Sequence, residues 1–123
     1  MSHLVLEKLS VVAALTLAAM SAGAAGFDCD KATRAAERAI CADADLGAMD
    51  AQQSRLYASL LAVVATELTQ NLRASQRTFL TERNGCQANT PCLQSAYLFR
   101  FHELCGMAKL HRLGCGNEGE PPR

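Results

Sequence analysis

The chain contains no tryptophan, and its aromatic residues amount to only 5 %. Its core must therefore rest on aliphatic packing. It also lacks net charge, since 12 Lys and Arg balance 12 Asp and Glu. Nucleic acid demands a basic face, so that class of partner is not expected, nor is strong long-range steering toward any charged partner. β-Branched residues are scarce between Asp28 and Leu113 and never alternate strictly with polar ones, which argues against a sheet. No Cys-x-x-Cys occurs, so thioredoxin-like redox chemistry and haem attachment lack their motif. Glycine-rich phosphate loops are missing. Ser54, Ser59, Ser75 and Ser95 fall inside helical patterns without a Gly-x-Ser-x-Gly elbow, and no carboxylate pair has a diagnostic spacing. His102 and His111 have no nucleophile at a motif-like position. We expect no catalytic residues, no cofactor and no enzymatic activity.

What is present begins with an uncharged run, Leu9 to Gly26, rich in Ala, Leu and Val and ending in Ser21-Ala22-Gly23-Ala24-Ala25. Ala22-Gly23-Ala24 fits the small-x-small pattern that a signal peptidase cuts after. The run is short for a membrane span, which needs about 20 strongly apolar residues. Residues 1–24 read as a cleaved signal peptide, and residues 27–115 as one helical domain. The tail at 116–123 reads as disordered. Cys29 is separated from the small-residue run by Gly26-Phe27-Asp28, so a lipoprotein attachment site is not expected. The mature protein is expected in a periplasm or outside the cell, with no membrane association once the signal is removed.

The body of the chain is helical in pattern, dominated by Ala, Leu, Gln, Glu and Arg. A first short helix is expected from Thr33 or Arg34 to Cys41, with Thr33 as cap and Ala36, Ala39 and Ile40 as its apolar side. Asp43 caps a second helix whose Leu46, Met49, Leu56, Leu60, Val63 and Val64 form one stripe, interrupted by Gln53. A turn is expected near Thr66 to Asn71. A third helix places Leu72, Phe79 and Leu80 on one side and stops near Asn84-Gly85. Thr90-Pro91 restarts the chain as cap and first-turn proline. The fourth helix aligns Leu93, Tyr97, Phe101 and Leu104, continues past Met107, and is stopped by Gly114. The expected fold is all-α, a small antiparallel bundle of about four helices.

A domain of this size buries only about 60–70 % of its unfolded surface, and covalent staples compensate. The sequence supplies six cysteines. Six allow fifteen pairings, but placement favours local closure. Cys29 and Cys41 bracket the first helix, Cys86 and Cys92 flank the connection between the third and fourth, and Cys105 and Cys115 bracket the end of the fourth. Each such ring is worth about 2–3 kcal/mol in the chain-entropy model. His102, Cys105, His111 and Cys115 have a spacing loosely suited to zinc. An oxidising compartment favours the bridge instead, and no metal site is expected.

A set of polar residues recurs among the helices: Glu37, Asp50, Tyr57, Gln76, Arg77, Arg83, Tyr97 and Arg100. They read first as half-buried hydrogen bonds and ion pairs, with Arg stems covering the core. The competing reading is a recognition face rich in Tyr and Arg.

Taken in order, the chain shows Phe27-Asp28-Cys29, then Ala32, Glu37 and Ile40-Cys41, then Asp50 and Tyr57. It continues with Leu72-Arg73-x-x-Gln76-Arg77-x-Phe79-Leu80-x-x-Arg83-x-x-Cys86 and Cys92-Leu93-x-x-x-Tyr97-x-x-Arg100. This order resembles the N-terminal domain of the LprI-type lysozyme-inhibitor family, secreted or envelope-bound bacterial proteins. The resemblance runs from Phe27 to about Leu104. Phe79 stands where that pattern usually has Trp, and Gln53 where a Leu is usual. The resemblance implies a small, helical, disulfide-stapled domain and, for some members, inhibition of lysozyme by direct binding. The expected partner is a lysozyme. The alternative is an envelope interaction or structural module that binds another envelope protein and has no effect on lysozyme.

Lysozymes work with two carboxyl groups across a saccharide cleft. An inhibitor needs a rigid protrusion that enters the cleft and offers donors to them. The short ring from Cys86 to Cys92 is the candidate protrusion, with Gln87, Asn89 and Thr90 as contact residues and Arg83 and Arg100 as neighbouring donors.

Overall fold

The structure, a computed structural model, describes residues 25–115. The expected signal peptide, residues 1–24, and tail, residues 116–123, lie outside the described residues. A 3-10 turn, Cys29–Lys31, is followed by four helices: α1 Ala35–Ala42, α2 Ala44–Val63, α3 Thr66–Gly85 and α4 Thr90–Leu110. No strand occurs among the described residues. The fold is an all-α bundle. α2 packs mainly on α4, α1 lies against α2 and α3, and α3 against α4.

Local chemistry accounts for most boundaries and corrects several. Asp43 caps α2 as expected, its Oδ1 accepting the N–H groups of Asp45 and Leu46. Thr33 does not cap α1. Arg34 occupies that position with no side-chain cap bond, because Glu37 instead reaches back to accept the Thr33 N–H at 3.2 Å. The break between α2 and α3 falls at Val64, which is extended, and Ala65, which is likewise not helical. Thr66 to Asn71 is thus the start of α3, where Glu67 complements the helix dipole.

α3 ends at Gly85, yet the left-handed residue lies further on, at Gln87 (φ 54°). The cap of α4 is Asn89, not Thr90. Its side chain accepts the Cys92 N–H at 3.0 Å, and Pro91 falls within the first turn. α4 closes before Gly114, with Arg112 left-handed (φ 57°) and Leu113 N–H donating to the Ala108 carbonyl.

All three expected disulfides are present: Cys29–Cys41, Cys86–Cys92 and Cys105–Cys115. The last pairing leaves neither sulfur of the carboxyl-terminal His and Cys set as a metal ligand.

The interior divides into two apolar clusters. Ala36, Ile40, Leu46, Phe79, Leu93 and Tyr97 form one. Leu56, Leu60, Leu72, Leu104 and Ala108 form the other. Full burial of each Leu or Phe is worth about 1.5–3 kcal/mol. Between the clusters, each long helix contributes polar side chains. The buried stripe of α2 is Leu46, Asp50, Gln53, Leu56 and Leu60, so Gln53 continues the stripe rather than interrupting it. Met49 and Val64 are only partly buried, and Val63 is exposed. On α4 the buried face is Leu93, Tyr97, Arg100, Leu104 and Ala108, with Phe101 at its margin.

Candidate functional site

Two regions concentrate the polar residues singled out in the sequence. The first lies inside the bundle and opens onto a groove. The second is the cross-linked turn between α3 and α4.

Inside the bundle, Asp50 is 2 % exposed. Its Oδ1 accepts the Tyr97 hydroxyl at 2.7 Å and Arg83 Nη1 at 3.2 Å. Its Oδ2 accepts the Gly26 N–H at 2.7 Å. Tyr97 and Arg83 are thereby fixed from α4 and α3, and the segment before the 3-10 turn is pinned to α2. Gly26 suits this close approach, because a Cβ there would run into the Ser54 side chain. Arg83 is further held by Asn84 Oδ1, which accepts from Nε and Nη2, and its guanidinium lies 5.5 Å from the centre of the Phe27 ring. Burial, then the adjacent Asp50 charge, pushes the Tyr97 phenol well above its ordinary value.

A second set adjoins the first. Gln53 Nε2 donates to Gln76 Oε1 at 2.7 Å. Arg100 Nη2 donates to the same oxygen at 2.9 Å and to Ser75 Oγ at 3.2 Å. Arg100 Nη1 reaches Glu103 at 3.4 Å. Arg100 Nε is buried without a hydrogen-bond partner among the described residues. The Phe79 ring lies 5.7 Å from the guanidinium and makes an edge contact with Tyr97. Burial lowers the proton affinity of Arg100, and Glu103 opposes this.

These contacts correct the assignment of Arg83 and Arg100 as surface donors beside the turn. They are 5 % and 3 % exposed. Their charges are spent on Asp50, Asn84, Gln76, Ser75 and Glu103.

The interior network reaches the surface through a groove of about 420 Å³ whose wall includes Phe27, Glu37, Asp50, Gln53, Ser54 and Gln76. Glu37 sits on its rim. The hydrogen bond from Arg34, then that from the Thr33 N–H, holds its carboxyl below the usual range. Tyr57 packs with the second apolar cluster, and Arg77 is exposed on α3, so neither joins the groove. Gly26, Phe27, Gln53, Ser75 and Asn84 belong to this assembly, but the sequence reading did not place them in a site. One signal was available for Gln53: a buried-stripe position carrying an amide requires an amide or charged partner.

In the second region, the turn between α3 and α4 is closed by Cys86–Cys92. Gln87, Ala88 and Asn89 are exposed and Thr90 is half-buried. The turn is internally bonded, with Gln87 N–H donating to the Asn84 carbonyl and Asn89 N–H to that of Cys86. Asn89 spends its side-chain oxygen on the cap of α4, whereas the Gln87 and Thr90 side chains make no hydrogen bond among the described residues.

Among the described residues, no helix is long and apolar enough to cross a membrane. No curated protein and no solved structure matches the chain. A family model described as "Lysozyme inhibitor LprI" matches residues 29–118.

Proposed function

This chain belongs to the LprI family of lysozyme inhibitors, and we propose that it is an exported protein that blocks a lysozyme by direct protein–protein contact. The family match over the whole helical body is the observation that carries this reading. The α3–α4 turn is the element we assign to the contact. It is exposed, cross-linked at its base and internally hydrogen-bonded, so little conformational freedom is lost on docking. With Arg83 and Arg100 committed inside the bundle, recognition falls to the exposed backbone of the turn and to Gln87 and Thr90. Direct hydrogen bonds and shape, rather than charge attraction, suit a chain with zero net charge.

A lysis assay with the purified, disulfide-bonded mature protein tests the activity. Inhibition that saturates near equimolar protein is expected; full lysozyme activity at large molar excess overturns the reading for the enzyme tested. Replacing Gln87 and Thr90 by Ala tests the surface. Inhibition should weaken by about tenfold or more, the loss of roughly one good interfacial contact. Unchanged inhibition by a folded variant removes the turn from the contact.

A further inference from the structure

The side of α4 turned away from the bundle is exposed along its length. The core side, with Leu93, Tyr97, Leu104 and Ala108, packs on α2 and α3. Opposite lie Ser95, Phe99, His102 and Gly106, all exposed and spaced four, three and four residues apart. That is the seam spacing of a helix that pairs with another helix. Phe99 is 64 % and Leu110 83 % exposed, and Leu98 flanks them. One large apolar side chain in water is ordinary, but three on one side of a helix make a patch. Gly106 is the second observation. Glycine is a poor residue for a helix interior, and nothing in this chain asks for it there: a Cβ at position 106 would meet no atom within 4 Å. Its bareness serves no contact within the described residues. It leaves a notch on the outer face where another helix can approach closely.

We infer that the outer face of α4 is the docking surface for a second copy of this chain, the two α4 helices packing antiparallel about a two-fold axis. A two-fold contact must be complementary to itself, and this face is. With the axis level with Leu104, His102 of each copy comes level with Gly106 of the other, and the ring enters the notch. Phe99 and Leu110 are about three turns apart, so they share one edge of the face. The two-fold brings Phe99 of each copy within about one residue's rise, ~1.5 Å along the axis, of Leu110 of the other. The two most exposed large apolar side chains thereby cover one another. Charge does not oppose the pairing. The net charge is zero, and residues 1–24 carry one acid, Glu7, and one base, Lys8, so mature copies do not repel as a whole. Residues 116–123 hold no large apolar side chain that could cover the face instead. From Ser95 to Leu110 the face is about 24 Å long on a helix about 10 Å wide, well short of the ~800 Å² per partner of a standard interface. The dimer is therefore weak, with a Kd on the order of 0.1 mM. It stands or falls independently of lysozyme inhibition.

Sedimentation and NMR diffusion of the disulfide-bonded mature protein, from about 10 µM to about 1 mM, test this. A monomer–dimer equilibrium is expected across that range. Phe99→Glu places a charge in the seam and should weaken association by about tenfold or more; the residue is exposed, so the monomer keeps its fold. Gly106→Leu fills the notch. It should raise the unfolding midpoint of the dilute monomer, because a good helix former replaces glycine in open space, and still weaken association by about tenfold or more. A purely structural role would move the first measurement and not the second. Leu68→Glu alters an exposed apolar residue of α3 that the pairing does not use, and association should be unchanged. A protein that stays monomeric to about 1 mM, or one whose association survives both α4 variants, overturns the inference. So does a protein that stays monomeric while Phe99→Glu loses lysozyme inhibition, which gives the face to lysozyme instead.

Discussion

Asp50 is the residue on which the first half of the bundle converges. Its two oxygens serve α3 through Arg83, α4 through Tyr97 and the amino-terminal segment through Gly26. Asp50→Ala would strand a guanidinium that is 5 % exposed, and we expect a loss of about 3–5 kcal/mol, the penalty for an uncompensated buried charge. Urea denaturation checks this; a loss below about 1 kcal/mol would mean that Arg83 finds water instead. Tyr97 sets a pH dependence. Its phenol is held neutral by burial and by Asp50, so its folded-state value lies above the unfolded one. Its contribution is whole below about pH 10 and falls as pH rises beyond that, because the unfolded chain then releases a proton the folded chain retains. Stability should therefore decline more steeply above about pH 10 in the native protein than in Tyr97→Phe, and parallel pH profiles would contradict the assignment. At Gly26, substitution by Ala should loosen the amino-terminal segment, and adding Ser54→Gly should restore part of it, since Ser54 gives the closest contacts of the new Cβ and Asp50 Oδ2 a further tight one.

At the level of the helices, capping and burial explain why each element starts, stops and faces as it does. Asn89 carries both the first turn of α4 and the geometry of the cross-linked turn. Asn89→Ala should lower stability by about 0.5–2 kcal/mol, the usual loss of a cap, measurable as a shift in the denaturation midpoint at unchanged slope. The same variant complicates any reading of Asn89 as a contact residue, which is why Gln87 and Thr90 make the cleaner probe. Helical periodicity was legible for all four elements, and the Asp43 cap with it. Periodicity failed where a polar side chain occupied a buried position. Met49 and Val63 were favoured over Asp50 and Gln53, and Phe101 over Arg100, because an isolated sequence shows hydropathy but not partners. The chain breaks at Val64-Ala65, and the left-handed residues Gln87 and Arg112 carry no compositional mark.

For the molecule as a whole, two apolar clusters joined by a polar layer make a modest core, and three disulfides reinforce it. Intact mass with and without reductant should differ by six hydrogens, one pair for each bridge. Replacing Cys29 and Cys41 together by Ser should cost about 2–3 kcal/mol by the loop-entropy account, seen as a lower midpoint with helicity retained below it. An unaltered midpoint would show that the 3-10 turn and α1 hold without their staple. Zero net charge leaves the bundle without long-range attraction, so any partner must be recognised at contact distance.

The amino-acid order by itself determined the helical class and the family and favoured the local cysteine pairing that the structure shows, because each depends on spacing along the chain. Only the tertiary structure decided that Arg83 and Arg100 face inward, that Gln53 and Gln76 meet, and that a groove opens beside them. Those outcomes depend on which side chains from different helices arrive at the same place. A buried charge or amide is tolerable only when its partner arrives there too, and no spacing within one helix records that meeting.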